Sequence, residues 1–449
     1  MTFDAQAQPA HGAAERRSTV RWVRAVTVMF LVIGLSLGTW LSRLPAVRDQ
    51  LGASSVEMSI FGLCLAIGSL GGLALSGRIV DRYAPRTVVA VCCAVAAVTL
   101  PGAAAILLGG SVPLGLAVLF VFGFFFSVSD VAINVSGANA EKAYGRPRMT
   151  LMHAGFSLGG VTSTGIGALA ENLGVPVPVH FALVMGAGLI VLFALLPMLP
   201  RDELAVRLAA EAVRDRAPAD PEPRTASAEH AERTDHADTD SPVGPGSPAD
   251  TASPAPQQGT RSRPYSPWRD RRIVLIGLIT LSFGLIEGTA ADWLSLAVVD
   301  GRGVSNGFGT ALLSIFFTSV LVLRLIGSWL LLRFGRVTML RATAALAAVG
   351  IAMTITLPGQ TGLIIGVVAW GCGCGIGMPL TISAAADRAE TAARDVAAVT
   401  VFGYGALLIG PLAFGFLGEH IGLLTAFWAL LPFIAYVLIM AGIAREREG

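Results

Sequence analysis

Apolar residues fill this chain in long runs separated by short polar stretches, and the length of those runs sets what they can form. A helix needs roughly 20 consecutive apolar residues to cross a hydrocarbon core about 30 Å thick. Hydropathy combined with helix start and stop signals predicts twelve such spans, near 22–44, 54–77, 86–108, 112–142, 149–171, 177–198, 272–298, 306–332, 337–357, 361–386, 395–418 and 422–443. The predicted fold class is an all-α membrane protein of twelve transmembrane helices. The start of the second span is the best marked. Ser54 and Glu57 stand three residues apart at the head of an apolar run and can satisfy exposed amides reciprocally as a capping box.

The pattern occurs twice. Gly34-Leu35 with Gly38-Thr39 recurs 250 residues later as Gly284-Leu285 with Gly288-Thr289, and Gly77 with Arg86 recurs at the same offset as Gly327 with Arg336. Gly155-Phe156 with Gly167 and Glu171 recurs 248 residues later as Gly403-Tyr404 with Gly415 and Glu419. Matching spans that run in the same direction imply two parallel six-helix halves, 22–198 and 272–443, related by an axis along the membrane normal with a cavity between them. Residues 1–21 and 444–449 read as polar tails. The 199–271 stretch, rich in Pro, Ala, Ser, Asp and Arg, reads as a linker that cannot bury enough apolar surface to offset its chain entropy, so disorder is expected there.

Charge then orients the bundle. Of the 32 Lys and Arg residues, the predicted spans put Arg43, Arg48 and Arg302 on one face and Arg324 inside a helix, and all the others on the opposite face. The positive-inside rule makes that basic face cytoplasmic, with both termini on it. Composition agrees: 54% hydrophobic and 14% charged residues, with mean hydropathy +0.68, lie outside the range of soluble domains. The N-terminus shows no small-residue cleavage site after a short apolar core, so no signal peptide is read.

All five cysteines fall in predicted spans, which argues against a disulfide framework. Cys372 and Cys374 point about 200° apart on a helix and cannot share a metal. The glycine pairs around them, Gly371/Gly375 and Gly373/Gly377, suit close helix approach, with Pro379 adding a bend. The chain's single lysine, Lys142, follows no phosphate-cradling loop, which argues against ATP-driven transport. No cofactor, metal or nucleic-acid partner is expected.

The string GRIVDRYAPR, Gly77 to Arg86, lies at the basic face between the second and third spans. A carboxylate such as Asp81 at a helix end can accept hydrogen bonds from the N-terminus of a neighbouring helix, where the macrodipole favours an anion. That contact can latch the face shut, with Arg82 and Arg86 free to meet acidic groups or lipid headgroups. The string resembles the cytoplasmic signature of the major facilitator superfamily, keeping Gly77, Asp81, Arg82 and Arg86 but carrying Ala84 where glycine is usual. Its second-half counterpart, GSWLLLRFGR, has Leu331 and Leu332 where an aspartate would lie. Two further strings, SDVAINVSGANAEKAYGRPRMTLMHAGFSLGG and EGTAADW, look like a bacterial permease group within that superfamily, distantly similar to fucose and other sugar permeases. The resemblance implies two pseudo-symmetric six-helix bundles and transport by alternating access.

Ionisable groups inside spans are costly and mark pathways or partners. Asp130 and Asn134 share one stripe of the fourth span with Gly137 and Glu141, and suggest a path from the cavity to the cytoplasm. Glu287, on the seventh span, lies about 22 Å from its cytoplasmic start, from a rise of about 1.5 Å per residue, and is assigned the leading proton-carrier role. Asp292, nearer the outer rim, belongs with Asp130, Asn134 and Glu287 to the proton-coupling and cavity set, or is instead an interfacial gate with Arg43 as its expected partner. Arg324 is expected as a counter-ion for a carboxylate or a binder of substrate anions. Trp40 and Trp293 are candidates to stack on a sugar face, against the commoner role of aromatic belt residues.

These features point to a monomeric secondary transporter with protons, a small solute and membrane lipids as its partners. Sugar-like uptake ranks above efflux of a lipophilic compound or a non-transporting receptor of the same fold, and no enzymatic constellation converges.

Overall fold

The computed structural model describes residues 8–145, 148–200, 265–388 and 391–446, and among these the regular elements are helices. The expected disordered linker falls almost wholly on residues 201–264, outside the described residues. Among the described residues, eleven helices are long and apolar enough to cross a membrane. The Met149–Asn172 helix is a twelfth of spanning length, 24 residues, in the place of the fifth span; Gly, Ser and Thr dilute its apolar character.

In order, the first six spans are Arg17–Leu51, Ser55–Tyr83, Pro85–Leu108, Val112–Tyr144, Met149–Asn172 and Val177–Met198. The second six are Arg271–Arg302, Asn306–Phe334, Arg336–Thr356, Gly359–Ala385, Ala392–Ile421 and Leu423–Ala444. The capping box forms: the Ser54 hydroxyl accepts the Glu57 amide at 3.2 Å, and the Glu57 carboxylate accepts the Ser54 amide at 2.8 Å. The first, second and tenth helices depart most from the prediction. The first bends at Arg43 and runs on to Leu51, and the second continues to Tyr83, because charged residues end a hydrophobic run without ending a helix. The tenth breaks between Cys374 and Gly377. Pro379 lacks the amide that would bond the Gly375 carbonyl four residues back, so the ladder opens there.

Packing repeats across the halves. The first span packs on the fifth as the seventh does on the eleventh, and the fourth on the second and third as the tenth does on the eighth and ninth. Small residues permit this closeness: a Cβ at Gly34 or Gly159 would collide with backbone of the partner helix, and one at Gly371 would sit 2.6 Å from the Phe316 carbonyl. The halves meet along two seams, the fifth span against the eighth and the second against the eleventh.

Candidate functional site

The polar contacts across the seams begin at the face opposite the basic one. Arg48 reaches Asp300, Asn306 donates to Asp49 at 2.7 Å, and Glu419 accepts the Ser55 amide at 3.0 Å. Deeper in, Thr310 donates to the Ser42 carbonyl at 2.9 Å and Ser314 to the Val161 carbonyl at 3.2 Å. Below these lies a cavity of about 60 Å³ lined from both halves, with Gly34, Phe156, Ser157 and Gly160 on one side and Glu287, Phe317 and Arg324 on the other.

Arg324 organises this cavity. Its Nη2 pairs with Glu287 at 2.9 Å, Nη1 lies 3.4 Å from the Ser157 hydroxyl of the other half, and Nε donates to the Gly375 carbonyl at 3.0 Å. That last acceptor is the carbonyl released by Pro379, so the break in the tenth span builds a socket for the arginine. Arg324 takes the counter-ion position that its isolation inside a helix suggested. The side chains of Arg324 and Glu287 keep 34% and 20% exposure, so the pair opens onto the cavity and not into packed core. A compensated pair of this kind offers a donor fork and an acceptor to a polar solute. Ser157 and the Gly375 carbonyl escaped the sequence reading; Pro379 was the available signal for the second.

On the fourth span, the Asn134 amide bonds the Asp130 carbonyl oxygen at 2.9 Å and its carboxylate at 3.3 Å, so the two act as one unit on the predicted stripe. Glu141, at the foot of the stripe, accepts the amides of Arg148 and Met149, the latter at 2.6 Å, at the first turn of the fifth helix.

Residues 26–406 match the Major Facilitator Superfamily. The chain belongs to it. An uncharacterized transporter, y4wD, of Sinorhizobium fredii is 29% identical over 96% of this chain and 100% of its own length. Among solved structures, the nucleoside transporter NupG superposes with a TM-score of 0.65 at 15% identity, covering 94% of this chain and 98% of its own. The E. coli fucose:proton symporter FucP, in its outward conformation, gives 0.55 at 15% identity, covering 96% and 100%. At these identities the structures share the fold. The protein is a multi-pass membrane transporter of the superfamily type.

The remaining candidates separate into two places. Trp40, Trp293 and Asp292 share a small pocket nearer the face opposite the basic one, and both indoles are 2% exposed. The expected Arg43–Asp292 pair is absent. Arg43 sits at the bend of the first span, which turns its guanidinium toward the end of the fifth span, where it meets Glu171 at 2.9 Å and the Val175 carbonyl at 2.9 Å. At the basic face, Asp81 and Arg82 are exposed, and Asp81 makes no hydrogen bond or ion pair among the described residues. Arg82 lies 5.6 Å from the Tyr83 ring centroid, and Arg86 donates to the Leu199 carbonyl at 3.3 Å. No Cβ added at Gly77 would meet a neighbour.

The second half carries a denser basic-face cluster that the sequence reading missed. Asp387 accepts from Arg272 at 2.7 Å and Arg336 at 3.0 Å, and Arg388 bridges Asp270 and Asp395. Burial alone would raise the Asp270 pKa, but the Arg388 hydrogen bond and the Arg272 amide outweigh it and hold the carboxyl below its usual range.

Proposed function

We propose that the protein is a proton-coupled carrier that takes up a small polar, sugar-like solute by alternating access, with its basic face and both termini in the cytoplasm. The observation that carries this reading is the Glu287–Arg324 pair, exposed to a cavity between the halves and touched by Ser157 from the opposite half. Charged groups inside a membrane bundle are costly unless they serve a pathway. These two, with Asp130 and Asn134 on the facing half, supply donors and acceptors for hydroxyl groups and carboxylates for protons. Fucose:proton symport by FucP, which shares this fold, favours the same solute and ion classes.

In this orientation the interhalf contacts close the outer side, and the exposed Asp81 is the latch that is undone when the cytoplasmic side opens. The test is pH-gradient-driven uptake into proteoliposomes, using the solute class that raises the melting temperature of the purified protein. Asp130→Asn or Glu287→Gln should abolish gradient-driven uptake while the protein still folds, with Glu287→Gln melting lower because Arg324 loses its counter-ion. Full retention of coupled uptake in both variants would refute the coupling assignment.

A further inference from the structure

Gly34, Gly38 and Gly160 line the cavity between the halves, and packing explains the first two. A Cβ at Gly34 would lie 2.0 Å from the Phe156 carbonyl oxygen, and one at Gly38 would lie 2.9 Å from the Ser163 side chain, so the first span needs both to approach the fifth. A Cβ at Gly160 would meet no atom within 4 Å. It would enter the cavity, because Gly160 stands one turn along the fifth helix from Phe156 and Ser157, which line the same space.

The fold does not ask for glycine at this position. Glycine is the poorest helix former after proline, and the equivalent position of the second half, 248 residues on, is Leu408. What the missing side chain provides is room beside Ser157 and the Arg324 guanidinium, whose Nη1 lies 3.4 Å from the Ser157 hydroxyl.

That room is limited. At about 10–15 Å³ per water, the cavity of about 60 Å³ holds about four to six waters. These correspond to about 120–180 Å³ of liquid at about 30 Å³ each, the bulk of one monosaccharide or small polyol and well short of a disaccharide. The aromatic residues of its walls are Phe156 and Phe317, whereas Trp40 and Trp293 line a separate pocket. Phe317 is held edge-on to Phe316 with ring centroids 5.6 Å apart, and the buried Phe316 packs edge-on to Trp370 at 5.9 Å. A wall supported in this way does not retreat to make space for an added methyl group.

We infer that Gly160 is a specificity-determining residue of the cavity: its missing side chain sets the upper size of the solute, one monosaccharide or polyol held against Arg324 and Glu287. The inference rests on the sugar-like uptake proposed above and deepens it by fixing the size class and the residue that limits it.

The test follows the melting temperature of the full chain in detergent against rising concentrations of glycerol, erythritol, D-xylose, L-fucose and maltose. Each saturable rise gives an apparent Kd; excluded polyols also stabilise proteins, but without saturating. The wild type is expected to bind the monosaccharides and not maltose. Gly160→Ala should weaken the largest solute that binds by about 10–200-fold, the range for one methylene in a pocket, and the smallest least. It should melt no lower than the wild type when solute is absent. Gly186→Ala, at a glycine with equally open surroundings outside the cavity, should leave every Kd unchanged.

Maltose binding as tightly as the monosaccharides, or Gly160→Ala weakening all solutes alike or none, would overturn the inference and leave sugar-like uptake standing. A lower melting temperature for solute-free Gly160→Ala would assign the glycine to packing and overturn the inference likewise. Saturable binding of none of these solutes to the wild type would overturn the sugar-like reading itself, and the size limit with it.

Discussion

Arg86 and Arg336 stand at equivalent turns of the two halves, and each anchors the end of its own half's last span. Arg86 donates to the Leu199 carbonyl at 3.3 Å and Arg336 to the Ala444 carbonyl at 3.2 Å. Beyond that shared contact the halves diverge. Arg336 is 8% exposed and gripped by Asp387, which also holds Arg272 at the start of the seventh span. In the first half the acidic residue of the motif, Asp81, is exposed and free of partners among the described residues. The arginine is thus a structural anchor in both halves. The carboxylate is locked into a cluster in one half and left available in the other, which fits the switching role proposed for Asp81.

The sharpest way to break this comparison is Asp387→Ala, which strands Arg272 and Arg336. Its expected cost is about 3–5 kcal/mol, the range for removing one partner of a buried ion pair, seen as the largest fall in Tm of the set. Arg336→Ala should cost about 2–3 kcal/mol, against about 1 kcal/mol for Arg86→Ala, which loses a single long hydrogen bond. Equal losses in thermal melts would mean the two anchors are not distinguished by Asp387. Ala84→Gly is expected to raise stability by about 1 kcal/mol. Ala84 turns the chain between the second and third spans at φ 60° and is the positive-φ residue among those described that is not glycine, whereas the matching turn of the second half uses Gly335 at φ 73°. Asp81→Asn should move Tm least, by no more than about 0.5 kcal/mol. It should still enrich the open basic face, read from labels at Tyr83→Cys and Phe334→Cys.

The number and order of the spans were legible because a hydrocarbon core imposes both length and apolarity, and the Gly371/Gly375 and Gly373/Gly377 pairs marked one close helix approach. Helix ends were less legible. GRIVDRY reads as a loop by charge, yet those residues extend the second helix beyond the apolar run. Intramembrane charges stood out singly, but their partners did not. Arg43 with Glu171, Arg324 with the Gly375 carbonyl, and Arg336 with Asp387 are each joined by tertiary packing across distant segments. The Arg43–Asp292 expectation failed because similar depth was taken for proximity, while the bend at Arg43 aims the side chain elsewhere.

The fifth span has a bearing on how the chain is made. Its glycines and hydroxyl side chains suit contact with the first and eighth spans more than with lipid, so on its own it is expected to enter the bilayer less readily than a uniformly apolar helix. During synthesis the first span is already in the membrane when the fifth emerges, and its Gly34 surface supplies the docking face that the fifth lacks in lipid. Retention of the fifth helix by the first is therefore the expected aid to correct topology of the nascent first half.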